Sequence, residues 1–494
     1  MLAPIPVLSD YDIDPQRGFL PPELPLTSLP DPYYAKWETV IDKVQALILS
    51  GRIRSTVQRL PVLSTAYLHT EAEWQRAYVV LTFMLHAYVW GGDVPEEIIP
   101  PPISVPLLEV CEHLDLPPVA TYAAVCLWNY KPIFPDEPAD DLENLSVINT
   151  LTGSTDEQWF YLVSVAIEAR GAPMLPLMLE AIAAARREDS AVVTSCLQEL
   201  AQCITEISVI MQRLFEHCDP HVFYHKVRPF LAGSKNMGDA GLPRGVMFDT
   251  DTGTTEYRQY GGGSNAQSSL VQFFDIVLGI EHRPTGIGRD GGGAQSDSEG
   301  LSPKPRHNFI QEMRQYMPPA HRKFLEHIGS VANIREYVDA HRSDKALCLA
   351  YDASLAMLRD LRDKHIQVVS RYIIVKSREQ RRNSLSNPRP PTQLAPPPPP
   401  TTTRINLANV KSGNNKKLRG TGGTALIPFL KQARDETGEP AIDAWARRLL
   451  SNGPADRSFA TLGKVGEHAD GQIEIVGMAG TWAMDESEGG ICHW

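Results

Sequence analysis

The chain has 494 residues, 43% of them hydrophobic and 21% charged, with a formal net charge of −12. That length supports two or three domains and at least one sizeable core, and the negative balance opposes global binding to nucleic acid or to anionic membrane surfaces. Seven cysteines, none in a C-x-x-C pair, exclude zinc ribbons, thioredoxin-like redox sites and covalent c-type haem attachment; they suit reduced, mostly buried thiols.

The N-terminal stretch MLAPIPVLSDYDIDP has no basic segment followed by an apolar core, so no secretory signal is expected and the location reads as cytoplasmic. Residues 1–32 are proline-rich and should wrap the surface as an extended arm. Helical periodicity begins near Tyr34 and recurs over 35–51, 72–90, 104–114, 118–129, 156–169, 173–187, 189–216, 221–231, 266–280, 306–328, 332–341 and 345–376. Few stretches alternate as strands do, so the fold class is all-α. The longest apolar run, AYVVLTFMLHAYVWGG (77–92), is too short to span a bilayer. DVPEEIIPPPISVP (93–106) reads as a kinked connection between a small helical domain, 33–105, and a larger one, 106–438.

His217, His221 and His225 are spaced four apart, as metal ligands on one helix face would be. However, Asp219-Pro220 is a helix start, with aspartate as cap and proline in the first turn, and it breaks that face. YGGGSNAQSSLVQFFDIVLGIEH (260–282) places three glycines and Ser264 before a helix, an arrangement able to bind an anion. It lacks the Walker lysine and a leading strand, so a nucleotide fold does not follow.

The insertion 283–305 is glycine- and serine-rich and should form a surface loop. LRDLRDKHIQVVSRYIIV (358–375) is a strong helix in which His365 shares a face with Leu358, Leu361, Val368, Val369 and Tyr372, and Arg362 precedes it by one turn. Segment 376–419 holds ten Lys/Arg against one acid, with eight prolines between Pro388 and Pro400. It cannot bury a core and reads as a solvated loop, or as a ligand for an SH3-type module or an anionic surface. GTGGT (420–424) is a second glycine loop before a short amphipathic helix. Residues 439–494 form an acidic C-terminal tail; its part from 451 on, with seven acids and two bases, should be peripheral.

By periodicity alone His365 is either a satisfied core histidine or a ligand. An inward imidazole, two glycine loops and an arginine among aromatics (VFYHKVRPFL, 222–231) together fit a helical pocket for a flat cofactor and a small zwitterion. An iron porphyrin needs one axial imidazole, apolar walls, and cationic or amide partners for its propionates.

Six blocks carry a resemblance: FYLVSVAIEA (160–169), FYHKVRPFLAGSK (223–235), GGSNAQSSLVQFFDIVLGI (262–280), MRQYMPPAHRKFL (313–325), LRDKHIQVVSRYI (361–373) and GTGGT (420–424). In this order, over roughly residues 30–435, they resemble the haem-dependent indoleamine 2,3-dioxygenases, in a form similar to the fungal ones. The resemblance implies an all-α fold of a small N-terminal and a large C-terminal domain, the latter holding haem b. His365 then matches the proximal iron ligand, Arg362 a residue at a haem propionate, and Asp275 its ion-pair partner. Phe160 and Phe223 match aromatic walls around an indole, and Arg228 the partner of the substrate carboxylate, for which a guanidinium fork is suited. Tyr122, Ser164, Gly263 and Ser264 match pocket positions, with Ser264 donating near the haem edge; Thr421 matches a glycine loop that closes over substrate.

Val125-Cys126 stand where human-type members have Cys-Val, and Asn265 where alanine is common. The implied activity is opening of the indole C2–C3 bond of L-tryptophan with O2 to give N-formylkynurenine, on the kynurenine route to NAD. A haem protein of this fold acting as sensor or scaffold is the alternative. Tryptophan 2,3-dioxygenase proper would need a distal histidine, which these blocks lack.

Overall fold

The computed structural model describes residues 3–138, 141–250, 256–284, 309–379 and 426–451, and, as backbone, the short strands Asn409–Val410, Lys417–Leu418, Lys464–Glu467, Ile473–Gly477 and Gly480–Ala483. As expected for an all-α fold, helices dominate. Strands among the described residues are pieces of two to five residues.

The helices begin where local chemistry can satisfy their first free amides. Thr70 and Glu73 form a reciprocal capping box at Glu71–Trp90; Ser154 caps Thr155–Gly171; Asp189 caps Ser190–Gln212; Asp344 caps Lys345–Val369. Asp219 accepts from the amides of His221 and Val222 with Pro220 in the first turn, so the predicted break between His217 and His221 is present. The proline-rich connection 93–106 is shorter than expected. Ile98–Ile99 pair in parallel with Met247–Phe248, and the next helix already starts at Pro101, because prolines at the first helical positions give up no needed hydrogen bond.

Two apolar cores organise the molecule. One runs from Leu20 and Trp37 through the helices Glu71–Trp90, Pro101–Leu114 and Thr155–Gly171 to Phe223, Val368 and Tyr372. The other is built on the long helices Ser190–Gln212 and Lys345–Val369, which lie against each other, together with Ser269–Val277 and Pro319–Val331. Thr155–Arg186 is apolar enough to match a membrane span, but most of it is buried between these layers. The N-terminal arm is anchored: Phe19 is buried against Phe273, His321 and Phe324, and Tyr11 meets His327 Nδ1 at 2.5 Å.

The first residues of the C-terminal segment, before the part expected to be peripheral, are docked. Asp352 accepts from the amides of Ile442 and Asp443, Arg359 Nε donates to the Leu450 carbonyl at 2.7 Å, and Ala441 and Leu450 are buried. Residues 376–379 continue the preceding helix. The rest of 376–419, with the expected SH3-type ligand, lies outside the described side chains, as does the 283–305 insertion beyond Pro284.

Candidate active site

Between the two cores lies a cavity of about 260 Å³ with a largely apolar lining. Its floor comes from the helix Lys345–Val369. Near its start this helix buries Leu347, Tyr351 and Leu355 in the second core. Leu358, Leu361, Arg362, His365, Val368 and Val369 then face the cavity, as the shared-face reading expected.

Three wall segments depart from ordinary α-helix. Ala123–Leu127, Phe223–Val227 and Ser370–Val375 each widen into π-helical turns, and each delivers lining residues: Val125 and Cys126, Phe223, and Tyr372 and Ile373. Such turns are rare and concentrate at functional sites, because one extra residue per turn re-aims side chains.

His365 is largely enclosed by protein and lines the cavity. Burial, with Arg362 nearby, pushes its pKa down to about 4, so the imidazole is neutral at physiological pH. Neither ring nitrogen forms a hydrogen bond among the described residues, so the partner expected to fix its tautomer is not found there. A neutral imidazole with an available lone pair, on the floor of an apolar cavity with an arginine one turn away, fits an iron porphyrin. It is the one histidine among the described lining residues.

Arg362 and Asp275 are brought together as expected. The Arg362 Nη2 donates to both oxygens of Asp275, at 2.6 and 2.7 Å, and its Nη1 donates to Thr437. Burial would raise the Asp275 carboxyl, but Arg362 and His282 outweigh it and hold the group below the ordinary aspartate value. His282 extends the chain to Glu436. Neither residue was singled out from sequence: Val277 ends the helix that carries Asp275, so no periodicity links His282 to it.

The other expected residues that are described share the same cavity. Phe160 and Phe223 meet with ring centroids 4.7 Å apart, and Tyr372 packs edge-on to Phe223 at 5.5 Å. The buried Arg228 guanidinium lines the wall, 5.8 Å over the Tyr224 ring, and burial lowers its pKa. Tyr122, Ser164, Gly263 and Ser264 all line it, as do Val125, Cys126 and Asn265. Ser264 Oγ accepts from the Ala266 amide at 3.3 Å, leaving its hydroxyl hydrogen to donate. Behind this wall is Glu168, which accepts from Tyr122 and Ser268. It lies four residues after Ser164, and that spacing was the available signal.

The glycine run has a packing cause. A Cβ on Gly262 would stand 2.1 Å from the Leu231 carbonyl oxygen, and one on Gly233 2.2 Å from that of Tyr260, so two backbones touch here. Thr421 and its glycine loop lie outside the described residues. Among the described residues no group of three or more His, Cys, Asp or Glu could hold a metal ion. His221 and His225 simply pack ring to ring at 4.4 Å.

Comparison with known proteins points to one family. The family model described as indoleamine 2,3-dioxygenase matches residues 7–440. An indoleamine 2,3-dioxygenase of Saccharomyces cerevisiae is 42% identical over 445 residues, covering 88% of this chain and 94% of the relative. Indoleamine 2,3-dioxygenases of Aspergillus nanangensis and Aspergillus candidus are each 38% identical, covering 88% and 87% of this chain and 98% and 96% of their own.

Proposed function

The chain belongs to the indoleamine 2,3-dioxygenase family, and from that premise we infer that its cavity takes haem b and L-tryptophan together. The reaction is dioxygenation of tryptophan: the indole C2–C3 bond breaks and both atoms of O2 end in N-formylkynurenine, so substrate and oxygen account for every atom of the product. Haem supplies the oxygen activation when bound. The chain supplies ligation, orientation and exclusion of water.

His365 would hold the haem iron through its neutral imidazole, which lines the cavity. Arg362, fixed by Asp275, would present a cation to a haem propionate. On the substrate side the Phe160–Phe223 pair, whose rings touch each other, offers one aromatic wall against which an indole can pack, rather than the two walls around it that the resemblance implied. Arg228 offers the substrate carboxylate two parallel donors, and Ser264 adds a hydroxyl donor. No imidazole other than His365 lines the described cavity, so no histidine base is assigned to the indole N–H. That also separates the site from tryptophan 2,3-dioxygenase proper, which calls for a distal histidine.

One observation carries the reading: a single cavity joins the His365 imidazole, the Arg228 guanidinium and the Phe160–Phe223 pair. Protein loaded with haem and kept reduced in air should convert L-tryptophan to N-formylkynurenine, and His365→Ala should lose both haem and turnover. Wild-type protein that holds haem yet leaves L-tryptophan unconsumed would overturn the assignment. So would a His365→Ala variant with an unchanged ferrous absorption spectrum.

A further inference from the structure

His282 sits between two carboxylates. Its Nε2 is 3.0 Å from Asp275 Oδ2 and its Nδ1 is 2.8 Å from Glu436 Oε2. A neutral imidazole has one N–H and one lone pair, so in that form one nitrogen would set its lone pair against a carboxylate oxygen. Asp275 and Glu436 both have pKa values held below the ordinary carboxylate values, so both are ionised and can only accept; both contacts are then hydrogen bonds only when both nitrogens carry hydrogen. The geometry therefore specifies an imidazolium.

The two carboxylates belong to different elements. Asp275 is on Ser269–Val277 and is already held by Arg362; Glu436 is on Leu426–Thr437, the helix that follows the second glycine loop. Leu426, Phe429, Leu430 and Ala433 of that helix line the cavity. At its far end the helix is fastened twice to the same ionic chain, by Glu436 to His282 and by Thr437 to Arg362. The side chains of His282, Asp275 and Glu436 are 4–7% exposed and that of Arg362 is 12% exposed, so water screens these charges little.

We propose that His282 is a positioning residue: as an imidazolium it clamps the wall helix Leu426–Thr437 to Arg362 through Asp275, and so holds the cavity in shape. The cavity's occupant, haem with substrate, is taken from the preceding section; the clamp itself rests on the ionic chain alone. Charge balance favours it. Arg362 and His282 offset Asp275 and Glu436, whereas loss of the His282 proton leaves one buried negative charge in excess.

The surrounding groups do not reverse this. From its own loop His282 has Glu281, which reaches Arg335, and Arg283, whose amide and side chain face Glu436 and which also pairs with Glu439. Arg314, from Phe309–Arg314, feels Asp275 but hydrogen-bonds Gln272. Gln432 donates to Glu436 at 2.8 Å. Burial lowers the His282 pKa, but Asp275 and Glu436 outweigh it and hold the group above the ordinary histidine value. With a folded pKa raised above the unfolded value of about 6.5, the clamp is complete below that pH. It is lost as pH rises through the folded pKa.

The test is hydrogen–deuterium exchange on the haem-loaded protein, read in peptides covering 426–437 and corrected for intrinsic rate, from pH 6 to pH 9. In wild type the exchange of these peptides should rise with pH. In His282→Gln it should be about tenfold faster at pH 6 and flat with pH, about the loss of one charge-assisted hydrogen bond. Glu436→Gln should act in the same direction, and a His282→Gln/Glu436→Gln pair should add little to either single change. Exchange in His282→Gln that matches wild type at every pH overturns the clamp. If His282→Gln does not fold, a pH-dependent wild-type exchange that Glu436→Gln leaves unchanged overturns it equally. Failure of wild type to take up haem would instead overturn the reading of the cavity, because the same exchange on haem-free protein still reports on the clamp.

Discussion

Tyr122 donates its phenolic hydrogen to Oε1 of Glu168 at 3.0 Å, and Ser268 donates to the same oxygen at 2.6 Å. One buried carboxyl thus joins three pieces of cavity wall: the turn at Ala123–Leu127, the helix Thr155–Gly171 and the cap of Ser269–Val277. Its other oxygen, Oε2, has no partner among the described residues. Burial raises the Glu168 pKa to about 7 against the pull of both hydrogen bonds, so the group keeps its proton well above the ordinary glutamate range.

A pH-dependent stability follows. The folded value lies above the unfolded glutamate value of about 4.3, so the native chain keeps a proton that the unfolded chain gives up. Stability is therefore highest below about pH 4.3 on this account and falls as pH rises to about 7. Glu168→Gln removes the titration. Relative to wild type it should gain on the order of 2 kcal/mol between pH 5 and pH 8, read as the difference in Tm at the two values. An offset that does not change with pH would mean that Glu168 titrates as an ordinary surface acid.

Adjacent glycines should respond differently to alanine. A Cβ at Gly262 meets the backbone of Leu231 at 2.1 Å and of Gly233 at 2.5 Å, and neither can move alone. Gly262→Ala should therefore cost about 1–3 kcal/mol through overpacking. At Gly263 the nearest atoms are the Ala120 carbonyl oxygen at 3.3 Å and Val125 Cγ2 at 3.7 Å, and the residue lines the cavity. Gly263→Ala should keep most of the stability and change KM for tryptophan. Equal losses of stability at both positions would refute the division.

Helical periodicity made much of this legible, because burying one face of a helix leaves a repeating trace. His365 shares a face in the sequence with Leu358, Leu361, Val368, Val369 and Tyr372, and all six line one cavity in the structure. Asp219 and Pro220 marked a helix start because a cap and a first-turn proline are local chemistry. Contacts between distant elements leave no such trace. His282 reaches Glu436 across 154 residues, and Phe309 meets Phe429 edge-on at 4.8 Å, both by virtue of tertiary packing alone. The π-helical turns were invisible for another reason: an inserted residue shifts the hydrophobic phase over only five or six positions, too few to register as a period.

The Arg362–Asp275–His282 chain should fail as a unit. Asp275→Asn leaves two buried cations facing a neutral amide, which should cost about 3–5 kcal/mol in urea unfolding. Arg362→Met should cost less when Asp275→Asn is already present than when it is made alone, since the two share one interaction. Additive losses would show that the pair does not couple. Because the Asp275 pKa is held down, its contribution is present above the unfolded value of about 3.9 and is lost as pH falls below it.

Arg228 offers the sharpest test of how substrate is oriented. Its guanidinium lines the cavity that also holds Phe160 and Phe223, so it can grip the carboxylate while the rings grip the indole. Lysine keeps the charge but not the planar fork. Arg228→Lys should therefore lower kcat/KM for L-tryptophan by about tenfold and Arg228→Ala by about a hundredfold, the latter about 2.7 kcal/mol of lost transition-state binding. Tryptamine has the same indole and side-chain amine without the carboxylate, so its kcat/KM should be nearly the same in wild type and in both variants. If Arg228→Ala slows tryptamine as much as tryptophan, the arginine acts by packing over Tyr224 and not by binding the carboxylate. Haem absorption spectra of the variants separate that case from loss of the cofactor, since a packing defect that reached His365 would change them and a missing carboxylate contact would not.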